Sequence, residues 1–142
     1  MKFRFSLEPV LRVREHKEKI QQQKLAEKQR IKQILDERKS EIADELKQFL
    51  GEKEKASVYD IRKLRNAYAH MEHTHQMMGK IDRDAGKAQD EVNRERDKLL
   101  KAHRETHILE KIKDREHSAF REEADRMEQK HMDEIAAQYF GR

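Results

Sequence analysis

Eight histidines and no cysteine set the metal chemistry open to this 142-residue chain. His103 and His107 stand four residues apart, so on a helix both imidazoles share one face and could meet one ion. The residues between them are Arg104, Glu105 and Thr106, whereas a zinc-protease helix needs the glutamate directly after the first histidine. His70, His73 and His75 gather beside Met71, Met77 and Met78, a set that suits a soft or borderline ion. At this density of polar side chains, a solvated helix face is the simpler account of both groups, and no metal site is assigned. Carboxylates abound, but no pair stands out in the apolar surroundings that acid–base work requires. With no cysteine, a thiol nucleophile, a zinc–thiolate site and a disulfide framework are excluded. Catalytic, cofactor-binding and metal roles are each read as none, and the chain is not read as an enzyme.

The elements that carry these residues follow from composition. Charged residues make up 44% of the chain, against about 25% in an average domain. Disorder and a long exposed helix both tolerate that much charge. Disorder favours high net charge with Pro, Ser and Gly. Here 33 basic residues nearly cancel 29 acidic ones, and there are four glycines and one proline. Glu, Lys, Gln, Arg, Ala and Leu dominate, all strong helix formers. Opposite charges recur at helical spacing, as in Lys24–Glu27–Lys28 and Glu110–Lys113–Asp114. Helix is the expectation.

Ser6 suits an N-cap, with Glu8 and Pro9 in the following turn, where proline is tolerated. Nothing breaks a helix from there to Leu50, and Gly51 is the first stop signal. A second segment is expected near Ser57, running through Tyr68 towards Met78, with Gly79 and Gly86 bracketing a bend. From Gly86 to Gly141 the pattern is again unbroken. The chain therefore reads as one elongated helical domain, all-α: a first long helix over 6–50, an elbow of shorter helices over 51–91, and a second long helix over 92–140. Ile20, Ile31 and Ile42 recur every eleven residues, while Leu35, Ile42 and Phe49 recur every seven. Val92, Leu99, Leu109, Ile112, Phe120, Met127, Ile135 and Tyr139 supply a facing seam. Two narrow seams imply a two-stranded coiled coil, antiparallel because the chain must return through the elbow. Such a rod offers no concave substrate pocket.

The surplus charge has an address. Basic residues outnumber acidic ones 13 to 9 over residues 1–50 and balance them elsewhere. Acidic Glu8, Glu15 and Glu18 interleave the basic stretch, which disfavours a nucleic-acid track. The apolar stripe is too narrow for a membrane surface, and no apolar run approaches the roughly 20 residues of a bilayer span. Met1-Lys2-Phe3-Arg4-Phe5-Ser6-Leu7 alternates instead of building the apolar stretch of a secretory signal. A soluble intracellular chain is expected. Apolar side chains crowd both ends: Phe3, Phe5, Leu7, Val10 and Leu11 at the start, and Ile135, Tyr139 and Phe140 at the finish. They are expected to cap the coil by packing on one another, Tyr139 above all, or to anchor a partner.

The opening Phe3-x-Phe5-x-Leu7-Glu8-Pro9-Val10-Leu11-Arg12-x-Arg14-Glu15 resembles the start of the flagellar export protein FliJ family. Met132-Asp133-Glu134-Ile135-Ala136-x-x-Tyr139-Phe140 is similar to that family's end. Length, lack of cysteine and charged helical composition agree over the whole chain; the His–Met stretch 70–78 is not part of the likeness. The resemblance implies a cytoplasmic, membrane-peripheral component of the flagellar type III export apparatus, shaped like the central stalk of a rotary ATPase. It implies contact of Phe3, Phe5, Leu7, Leu11, Arg12, Arg14, Ile135, Tyr139 and Phe140 with the hexameric export ATPase. Tyr59, Leu64 and Tyr68 would face the cytoplasmic domain of the export gate, and export chaperones are further partners, with recycling of those chaperones as a further role. No nucleic acid, membrane insertion or cofactor is implied. The rival class is a generic coiled-coil spacer that dimerises in parallel, which would be nearly twice as long as an antiparallel monomer of about 70 Å.

Overall fold

The structure is a computed structural model that describes residues 2–55 and 61–141. Two helices account for nearly all of them: α1 (Glu8–Lys55) and α2 (Ile61–Phe140), of 48 and 80 residues. Among the described residues there is no strand. Pro9 lies in the first turn of α1, and Glu8 is the acidic residue of that turn. The Glu8 amide donates to the Phe5 carbonyl at 3.1 Å, and the Leu11 amide to the Leu7 carbonyl at 2.9 Å.

The expected elbow of shorter helices over 51–91 is corrected by this arrangement. α1 continues through Gly51, and α2 is already helical at Ile61 and passes Gly79 and Gly86 without a break. The expected start near Ser57 lies outside the described residues. A glycine stops a helix efficiently when it takes the left-handed conformation after the last turn. No described glycine has a positive φ. Each interior glycine costs about 1 kcal/mol relative to alanine, too little to interrupt a helix held by packing on either side.

The chain divides into two compact units, Met1–Gln21 with Leu99–Arg142, and Gln22–Lys98. In the first, Phe5, Leu11 and Thr106 are buried. Arg14 pairs with Glu105, Glu18 with His103 at 2.7 Å, and Glu8 with Lys113 at 3.0 Å. In the second, Ile42, Thr74, Ala88 and Val92 are buried. Lys28 pairs with Glu91 at 3.0 Å, Lys39 with Asp82, and the Phe49 ring lies 4.7 Å from that of His70. Within each unit the partners descend α2 as they ascend α1, as in a helical hairpin. Hydrogen bonding to Glu91 and Asp82 holds the Lys28 and Lys39 ammonium groups above the ordinary lysine value of 10.5.

Burial follows a strict three–four rhythm. On α1 the covered positions include Leu11, Arg14, Glu18, Gln21, Leu25 and Lys28, and the rhythm continues through Lys32, Leu35, Lys39, Ile42, Leu46 and Phe49. On α2 it runs from Ala67, Met71 and Thr74 to Thr106, Leu109 and Lys113. The seven-residue series Leu35, Ile42 and Phe49 lies on this seam. The eleven-residue series does not: Ile20 and Ile31 are 39% and 42% exposed, and only Ile42 is buried. On its side of the seam α1 places long polar side chains, among them Arg14, Lys28 and Lys39, and α2 places the small Ala85, Ala88, Ala102 and Thr106. The long stems cover apolar surface while their heads reach the flank, where the ion pairs form. The buried Thr74 and Thr106 hydroxyls donate to the carbonyls of His70 and Ala102 at 2.8 and 3.1 Å. Among the described residues no buried side-chain polar atom lacks a partner.

Two thermal-unfolding experiments test this seam. Ile42→Ala should destabilise by about 2–4 kcal/mol, and Ile31→Ala by less than about 1 kcal/mol; equal losses would contradict the seven-residue seam. At Gly86 an added Cβ meets nothing within 4 Å. Gly86→Ala should therefore stabilise by about 1 kcal/mol, raising Tm by a few degrees.

Candidate functional site

The two ends of the chain share one unit but do not pack as one cluster. Phe3 turns its ring edge-on to His117, with centroids 4.9 Å apart, and meets Phe120 at 5.6 Å. Phe5 is 7% exposed and Leu11 3%. These side chains hold the segment before α1 against α2. Arg14 is taken up by Glu105, and exposed Arg12 sits one turn above Glu8, 3.9 Å from its carboxylate. Leu7 is half-exposed.

Beyond Phe120, α2 continues for another 20 residues with every side chain exposed. At 1.5 Å per residue this extension is about 30 Å long. It carries Met127, Ile135, Tyr139 and Phe140; Tyr139 is 80% exposed and Phe140 88%. The expected mutual capping of the two ends is therefore corrected: Phe3 packs on Phe120, and Tyr139 packs on nothing. The reason is a length mismatch. Glu8, the first residue of α1, is already level with Lys113, so the last turns of α2 have no opposite number.

The expected ring-contact set thus separates into two groups. Phe3, Phe5 and Leu11 are taken up by the fold, whereas Ile135, Tyr139 and Phe140 remain available. A second helix starting at 92 would nearly equal the first in length, whereas α2 starts at Ile61 and outruns α1. The sequence signal for it is the apolar series that keeps step across Gly79 and Gly86: Met71, Met78, Ile81, Ala85, Ala88 and Val92.

At the start of α2, in the other unit, Leu64 and Tyr68 are 60% and 73% exposed and stand one turn apart. Tyr59 lies outside the described residues. Among the histidines, His103 Nδ1 meets Glu18, its ring stacks on His107 at 6.1 Å, and His70 lies against Phe49. No group of three metal-binding His, Asp or Glu side chains converges among the described residues. Nor is any described helix long and apolar enough to cross a membrane.

The family model described as "Flagellar FliJ protein" matches residues 2–142. The chain belongs to the FliJ family. As a FliJ-family protein it is a component of the flagellar export apparatus, a role in which the family is non-catalytic. No curated protein and no solved structure matches it.

The two terminal groups should separate in stability measurements. Phe3→Ala should cost about 1–2 kcal/mol through lost ring contacts, while Tyr139→Ala leaves the melting temperature unchanged. A stability loss for Tyr139→Ala equal to that for Phe3→Ala would contradict this division.

Proposed function

We propose that the two helices form an antiparallel coiled-coil stalk that binds and stimulates the hexameric export ATPase and couples it to the export gate. The observation that carries this reading is the 20-residue end of α2, helical, exposed and tipped by Tyr139 and Phe140, in a chain of the FliJ family. Exposed aromatics at the tip of a helix suit docking, because each brings a large apolar area to a partner. In this reading Ile135, Tyr139 and Phe140 enter the ring, with Leu7 and Arg12 as flanking contacts. Phe3, Phe5, Leu11 and Arg14 act indirectly, by fixing the base of the extension. Leu64 and Tyr68 face the cytoplasmic domain of the gate, and chaperone recycling uses other parts of the same surface.

The action is allosteric and not chemical. A single asymmetric helix end inside a six-fold ring cannot satisfy six subunits alike. Its unequal contacts bias their nucleotide states, and the bias cannot exceed the difference in contact free energy among those states. A peripheral position at the cytoplasmic face of the membrane follows from the same partners.

ATPase assays with the purified export ATPase check this. Tyr139→Ala combined with Phe140→Ala should abolish most of the stimulation while circular dichroism shows unchanged helicity. Stimulation equal to that by the unaltered chain would sink the ring contact.

A further inference from the structure

The face of α2 that points away from the seam carries an ordered charge pattern. Lys101, Arg104, Ile108, Lys111 and Arg115 recur at three- and four-residue steps, and every one is exposed. The same face continues without interruption through Ser118, Glu122, Asp125, Gln129, Met132, Ala136 and Tyr139, also exposed. Four cations thus occupy its first half. Two anions open its second half, followed by the apolar Met132, Ala136 and Tyr139. Over residues 121–140 as a whole, six acidic side chains stand against three basic ones.

We infer that this face docks a second copy of the chain, antiparallel, about a two-fold axis at the level of Phe120. Such an axis requires that whatever residue i meets, its counterpart meets in return. The pattern satisfies that demand. With the axis at 120, Arg115 of one copy faces Asp125 of the other, Ile108 faces Met132, and Lys101 faces the ring of Tyr139. Each pair occurs twice. Ile108 and Met132 are each 59% exposed and Tyr139 80%, so the apolar pairs have surface to cover, and an ammonium over a phenol ring adds cation–π attraction. The face lies opposite the residues that hold α1, so the second copy approaches without displacing it. A nucleic acid fits less well, because the cationic track ends at Glu122 and Asp125, where phosphates would be repelled. The inference does not depend on the export reading, although Tyr139 would serve both partners and the two contacts would exclude each other.

Sedimentation equilibrium of the full chain over the micromolar range tests it. A monomer–dimer equilibrium is expected at low salt, shifting to monomer as salt screens the exposed pairs. Arg115→Asp and Asp125→Arg should each weaken association about tenfold or more, since each places two like-charged pairs in the interface. The double variant carrying both exchanges should recover the dimer, with helicity unchanged throughout. Three outcomes would overturn the inference: a monomer at every concentration, single exchanges that associate as the unaltered chain does, or a double exchange that fails to restore association.

Discussion

The burial of a narrow seam between α1 and α2, within each of the two units, is the constraint on which the rest of this structure depends. The chain has too little apolar material for a broad core: 35% of its residues are hydrophobic, and only Phe5, Leu11, Ile42, Ala88 and Val92 are buried hydrophobic residues among those described. Such a sequence can fold only by spending what it has at every third and fourth residue, where a helix presents it to a partner. Charged side chains of α1 pair with those of α2 along the edges of the seam, as Lys28 does with Glu91 and Lys39 with Asp82. Those edge pairs contribute little energy individually. Their value is in register, because a slip along the helix would set Lys28 and Lys39 away from Glu91 and Asp82.

The seam also decides where binding can occur. Residues buried in closing it, such as Leu11 and Ile42, present almost no surface to a partner. Whatever the seam leaves over is exposed: on α1 at Val13, Ile20, Ile31 and Ile34, and on α2 at its start, on its outer face and at its end beyond the reach of α1. The surface that this FliJ-family export component presents is apportioned by its packing.

Much of this was legible in the sequence. Helix over disorder follows from composition, and the start of the first helix follows from Glu8 and Pro9. The seven-residue series through Leu35, Ile42 and Phe49 marks the true seam. The eleven-residue series through Ile20, Ile31 and Ile42 misleads, because eleven residues of straight helix fall nearly in line while the burial pattern follows seven. Gly79 and Gly86 misled in another way. Glycine weakens a helix by a modest increment, and neighbouring contacts decide whether that increment matters. Which terminal aromatics serve the fold and which stand free depends on relative helix lengths. A break wrongly placed in the middle of the chain conceals that quantity.

The unpaired end of α2 has a thermodynamic consequence of its own. A helix of about 20 residues with no packing partner lies close to the length at which helix and coil balance in water. Its backbone order therefore rests on the turn it inherits from the packed region and on local contacts such as Gln129 with Asp133. Opening there does not require opening the seam, so the free energy of amide exchange should fall along α2 from Phe120 towards Phe140. Any surface that grips Tyr139 and Phe140 then tightens every turn back to Phe120, and occupation of the tip is transmitted down the helix as a loss of conformational entropy.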